Sequence, residues 1–151
     1  MMDRDWIAAR IPHQGSMCLL DSVECWSEDE IVCQTRSHLL PDNPLRAAGR
    51  LGVANAIEYA AQAMAVHAAL LAGDARPVAA GYLTSVREAH WHCQSLDEMD
   101  APLSIRAERL SGNDITAMYR FEVSAAGSLL VSGRLGVVLN AAALAPASPS
   151  F

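Results

Sequence analysis

Only one stretch of this chain reads as a long helix, and its composition limits what can be built around it. Val53 to Leu71 holds eight Ala in nineteen residues, with Ile57, Met64, Leu70 and Leu71 among them, and it stops at Gly73. Alanine covers nearly the whole circumference. Small side chains let other backbone approach from several directions, so such a helix is expected to be enclosed rather than laid on a surface by one apolar stripe.

The rest of the chain reads as strands. Met17 to Trp26 is short and apolar-rich, and Glu28 to Ser37 alternates after a turn at Ser27-Glu28-Asp29. Leu39 to Gly52 is a long connection punctuated by Pro41, Asp42, Asn43, Pro44 and Gly49. After the helix come Ala79 to His92, Pro102 to Leu110, Ile115 to Ser124 and Leu129 to Leu139. Ser111-Gly112-Asn113-Asp114 and Ala125-Ala126-Gly127 supply turns between them. The order is β-β-α-β-β-β-β. One helix cannot cover two sheet faces, but one strongly curved antiparallel sheet can wrap around it, which gives an α+β class. Residues 1–139 form a single domain in this reading, and 140–151 form a flexible tail rich in Ala, Pro and Ser.

Composition removes several function classes. The chain of 151 residues has a net charge of −6, which argues against a protein that neutralises nucleic-acid phosphates. All 11 basic residues are Arg, so Schiff-base chemistry on lysine and a phosphate-loop lysine are excluded. No run approaches the ~18 apolar residues of a membrane span, and Met1 to Arg10 carries two Asp and no apolar signal core. The cytoplasm is the expected location. Cys18, Cys25, Cys33 and Cys93 form no C-x-x-C pair and read as small, reduced, buried thiols.

Local motifs point to a family. Ile11-Pro12-His13-Gln14-Gly15-Ser16-Met17-Cys18-Leu19-Leu20-Asp21 resembles the "PH…LLD" opening of β-hydroxyacyl-acyl carrier protein dehydratases. Glu58-Tyr59-Ala60-Ala61-Gln62 resembles the E-x-x-A-Q of their catalytic helix, and Gly81-Tyr82-Leu83 with Val86 and Arg87 resembles their third strand. The similarity runs over roughly residues 8 to 139. It is nearest to the dehydratases of aryl-polyene pigment clusters, through Asn43-Pro44-Leu45-Arg46 and the Ala56 to Ala65 segment. The resemblance implies the hotdog fold, a curved antiparallel sheet around one central helix. It implies a dimer with itself or with another hotdog subunit, and a substrate carried on the phosphopantetheine of an acyl carrier protein. No metal or redox cofactor is expected, because the thioester already acidifies C2.

By that resemblance Glu58 donates a proton to the departing 3-hydroxyl. Burial within the helix disfavours its charged form, and Gln62, one turn on, is placed to orient it. The ordinary family carries its base in a G-H-F-P loop fourteen residues before the helix acid. Here that position is Pro44, and Ala47-Ala48-Gly49-Arg50-Leu51 holds no His. His13, in a loop before the first strand, is the expected base, with His38 at the end of the second strand as the other choice. His67 lies half a helical turn from Glu58 and is expected to be structural. His90, His92 and Cys93 lack a third ligand at standard metal spacing. Arg46 and Arg50 are candidates for the carrier's phosphate, with surface solvation as the alternative. The helix start at Gly52-Val53 offers N–H groups to an enolate-like oxygen. Two other readings stay open: a non-catalytic hotdog subunit that pairs with an active dehydratase, and a hotdog thioesterase.

Overall fold

The computed structural model describes residues 2–11, 15–73, 82–113 and 115–138. A short helix α1 (Arg4–Ala8) precedes strands β1 (Ser22–Trp26) and β2 (Glu30–Thr35). The long helix α2 (Ala56–Leu71) follows, and then β3 (Tyr82–Trp91), β4 (Leu103–Gly112), β5 (Thr116–Ala125) and β6 (Ser128–Val138). The six strands form one antiparallel sheet in the order β1-β2-β4-β5-β6-β3. The sheet wraps α2, which packs on β2, β4 and β5. This is the hotdog arrangement expected from the element order.

Alternation explains the strands. Ala117, Tyr119, Phe121, Val123 and Ala125 of β5 point inward and are buried, while Arg120 between them is exposed. Ile31 and Cys33 of β2, and Leu103, Ile105 and Ala107 of β4, complete the same layer. Fully burying a side chain the size of Phe121 or Leu103 contributes about 1.5–3 kcal/mol. On the outer face Arg106 bonds Glu30 at 2.7 Å, Arg120 bonds Glu108 at 2.9 Å and Arg134 lies 3.3 Å from Glu88. These arginines sit on the solvent face beside acidic partners, as the alternation predicts.

The helix is not wholly enclosed. Ala56, Tyr59, Ala60, Ala63, Met64 and Val66 are buried. Glu58, Ala61, Ala65 and Ala68 form a stripe that this chain leaves half-buried. Other differences are local. Helix α1 was not expected, because five residues capped by the Asp3 carboxylate on the Trp6 N–H give little periodicity to read. Val53–Asn55 is a tighter turn, so the α-helix begins at Ala56. The strand expected from Met17 begins at Ser22; Gly15–Met17 is a turn, residues 18–20 run outside the ladder, and the Asp21 N–H meets the Gln34 carbonyl of β2. Residues 79–81 of the expected third strand, Leu139 and the expected tail 140–151 lie outside the described residues. All four cysteines are free; Cys18 and Cys33 are buried as expected, Cys93 is half-buried, and Cys25 is exposed on the edge strand β1. Burial, with Cys25 and Glu24 adding to it, pushes the Cys33 thiol up to about 12. Among the described residues no helix is long and apolar enough to cross a membrane.

Candidate active site

Glu58 stands in the first turn of α2, half-buried, on the stripe that the sheet leaves uncovered. Gln62, one turn on and fully buried, faces it: its side-chain N–H donates to Glu58 Oε1 at 3.4 Å. The same amide group donates to the Met17 carbonyl at 2.7 Å, and Gln62 Oε1 accepts the Leu19 N–H at 2.9 Å. The helix acid is thereby tied to the segment just after the expected base. His13 itself lies outside the described residues.

A buried polar cluster backs this arrangement. Thr35 Oγ1 and Ser37 Oγ both reach the Leu19 carbonyl at 2.6 Å. The Tyr59 hydroxyl meets Ser37 Oγ at 2.9 Å and accepts from the Asn43 amide at 3.0 Å. Asn43 also donates to the Ser37 carbonyl at 2.9 Å. Burial raises the Tyr59 phenol above its ordinary value, although its bonds to Ser37 and Asn43 oppose the rise. A cleft of about 150 Å³ opens over the cluster, with Ser16, Ser37 and Asn43 in its wall.

His38 is placed differently from a residue that must touch substrate. It sits in the turn Ser37–Leu39 and is fully buried. Neither ring nitrogen has a hydrogen-bond partner among the described residues; the Ala101 backbone lies beside the ring without closing a well-aligned bond. Burial lowers its pKa, against the pull of Ala101, and nearby Arg36 and Arg46 lower it further. No hydrogen bond joins it to Glu58. His67 has both nitrogens occupied, by the Tyr119 hydroxyl at 2.6 Å and the Ser27 carbonyl at 2.7 Å, which fits a structural role. His90 and His92 are exposed, and no group of three metal-ligating side chains comes together among the described residues.

The two arginines before the helix separate. Arg46 turns inward and donates to the carbonyls of His38, Leu40 and Gly49 and to Asp97 at 3.1 Å. It braces the long connection, with its donors taken by the protein's own acceptors, which the spacing alone could not reveal. Arg50 lies 3.3 Å from the same carboxylate with its side chain 58% exposed. Burial works to raise the Asp97 carboxyl, but the Leu51 N–H, Arg50 and Arg46 outweigh it and hold the group below its usual range. The Val53 N–H, expected to be open to a substrate oxygen, donates to the Gln94 carbonyl.

The family model described as ApeP dehydratase matches residues 6–145 of the chain. No curated protein matches it. Among solved structures, the dehydratase heterocomplex ApeI:P from Xenorhabdus doucetiae is similar with a TM-score of 0.79 and 25% identity, over 92% of this chain and 91% of that one. AziG from S. sahachiroi is similar with a TM-score of 0.57 and 16% identity, over 82% and 92% of the two chains. A hypothetical thioesterase with coenzyme A from Streptococcus pneumoniae TIGR4 gives 0.57 and 12%, over 78% and 86%. At those identities the last two speak to the shared fold alone.

Proposed function

The chain belongs to the ApeP dehydratase family, and from that premise we propose that it removes water from a 3-hydroxyacyl thioester carried on the phosphopantetheine of an acyl carrier protein. A base takes the C2 proton, the electron pair forms the C2–C3 double bond, and the C3–O bond breaks. Glu58 gives its proton to the departing hydroxyl, which leaves as water. His13 is the proposed base. The observation that carries this reading is the Glu58–Gln62 pair pinned to Met17 and Leu19, which fixes the helix acid against the segment that follows His13. No bound metal or redox group is required by these steps.

The half-buried stripe around Glu58 supports a site completed by a second hotdog subunit. The similar structure from Xenorhabdus doucetiae is a heterocomplex, and we extend that assembly to this chain. Its missing loop histidine favours a second reading, in which this chain shapes the site and the partner supplies the chemistry. One experiment separates the two. Turnover of 3-hydroxyacyl carrier protein is measured for the chain alone, for the chain with a second hotdog subunit, and for both with Glu58→Gln. A loss of at least about 100-fold in the variant assigns the acid to this chain. Unchanged turnover in the pair removes Glu58 from the mechanism and leaves the supporting-subunit reading. Release of free acid instead of the enoyl product indicates a thioesterase.

A further inference from the structure

We infer that Tyr59 and Ser37 are positioning residues for Glu58, acting through Leu19 and Gln62; this rests on the proposed role of Glu58. The argument is one of hydrogen-bond direction. A glutamine amide can turn over, exchanging its carbonyl for its NH₂ group at little steric cost. Turned one way, Gln62 presents an N–H to Glu58 Oε1 and leaves the acid's proton on the other oxygen, free for substrate; turned the other, it presents a carbonyl oxygen that draws that proton to itself. The backbone decides. The Leu19 N–H can only donate, so it fixes Gln62 Oε1, and the Met17 carbonyl can only accept, so it takes one amide hydrogen. The other amide hydrogen is left aimed at Glu58 Oε1.

Leu19 therefore has to be held still, and side chains rather than a backbone ladder do it. Its carbonyl is held by Thr35 and Ser37. With Ser37 donating to Leu19, Tyr59 donates to Ser37, and Asn43 donates to Tyr59. Every proton in the cluster then has an acceptor, with the Thr35 hydroxyl lying between the Leu19 carbonyl and Ser37 Oγ, 3.0 Å away, and the bonds from Asn43 through Tyr59 and Ser37 to Leu19 run in a single direction. Tyr59 and Gln62 lie three residues apart on α2, so the helix closes the loop: one side chain anchors Leu19 from its carbonyl side and the other reads its N–H. A core that only needed packing would be served by Phe at 59 and Ala at 37.

The test uses Tyr59→Phe and Ser37→Ala in the chain with whichever partner supports turnover, with Ser37→Thr as the conservative control. Orientation of the acid matters in the transition state more than in binding, so kcat is expected to fall about tenfold with KM within twofold. Ser37→Thr, which keeps the hydroxyl, is expected to restore kcat. Independently of turnover, the Gln62 side-chain NH₂ in the wild-type protein is expected to exchange slowly with solvent by NMR and to exchange fast in both variants. Slow exchange retained in a folded Tyr59→Phe and a folded Ser37→Ala overturns the inference. So does an equal loss of activity in Ser37→Thr and Ser37→Ala. If the wild-type pair shows no dehydration at all, the functional proposal fails while the amide exchange still decides the clamp.

Discussion

His67 offers the sharpest test of how the helix is bound to its sheet. Its Nε2 faces the Ser27 carbonyl, which can only accept, so Nε2 carries the proton and Nδ1 accepts from the Tyr119 hydroxyl. The rings meet edge to face with centroids 5.6 Å apart. His67→Phe keeps a ring but leaves the fully buried Tyr119 hydroxyl without its partner, at about 1–3 kcal/mol; the Ser27 carbonyl, on an exposed turn, can recover water. Tyr119→Phe alone leaves Nδ1 without a donor, again about 1–3 kcal/mol. The double variant removes both polar groups, so it is expected to cost less than the sum of the singles by about 1–2 kcal/mol. Against a typical total of about 5–15 kcal/mol, urea unfolding followed by tryptophan fluorescence resolves that difference. The pH dependence gives a second handle. Burial holds the His67 pKa below its ordinary value, although the Ser27 carbonyl opposes the shift, and Arg109 lowers it further. The unfolded chain therefore binds the proton first. Stability is complete above about pH 6.5 and falls as the pH drops below it, by up to about 1.4 kcal/mol per unit from this residue. His38, shifted the same way by burial, contributes a similar slope, so His67→Phe is expected to flatten the curve without abolishing it. Additivity within about 0.3–0.5 kcal/mol, or an unchanged slope in His67→Phe, refutes the reasoning.

Other substitutions follow from particular geometries. Ala126 and Gly127 both take positive φ, 50° and 80°, in the two-residue turn between β5 and β6, which suits Asn-Gly; Ala126→Asn is expected to add about 0.5–1 kcal/mol of stability, read as a higher urea midpoint. A Cβ at Gly133 would stand 2.9 Å from the Phe121 ring and 3.3 Å from the Ala89 backbone, so Gly133→Ala is expected to cost about 1–3 kcal/mol, read in the same assay. Arg46→Ala strips donors from three carbonyls and from Asp97, and is expected to destabilise by about 2–4 kcal/mol in the same assay while Arg50→Ala changes little.

Much of the architecture could be read from patterning because the driving forces are local and periodic. Alternation along β4, β5 and β6 reports which side chains enter the core, and the alanine-rich run reports how closely backbone may approach it. The site was legible only in part. Glu58 and Gln62 are one turn apart on a helix, so their meeting follows from spacing alone. Arg46 and Asp97 are brought together across 51 residues by the fold, and nothing in either neighbourhood signals the other. The Thr35-Ser37-Asn43-Tyr59 cluster was missed for the same reason. A tyrosine in an otherwise small-residue helix was the one hint, since a buried phenol needs a hydrogen-bond partner.

The misreading of residues 17–21 has a common cause with the site. Met17-Cys18-Leu19-Leu20 is apolar enough to be a strand, but Cys18, Leu19 and Leu20 are buried in succession, where a strand with one solvent face would alternate. A strand there would spend its N–H and C=O groups on a neighbouring strand. Instead the Met17 carbonyl and the Leu19 N–H go to Gln62, and the Leu19 carbonyl goes to Thr35 and Ser37. Buried backbone groups have to be satisfied, and side chains from α2, from β2 and from the turn after it satisfy them here. Departure from the ladder at Leu19 is thus what makes backbone donors and acceptors available beside Glu58. Replacing Gln62 with Leu should therefore do more than remove a neighbour of the acid. It leaves the Met17 carbonyl and the Leu19 N–H unpaired, at about 1–3 kcal/mol each if no water replaces the amide. Faster amide exchange at Leu19, concentrated in this segment and absent from β4 and β5, is the expected signature. Uniform exchange across the sheet would mean that the segment is held by its apolar side chains alone.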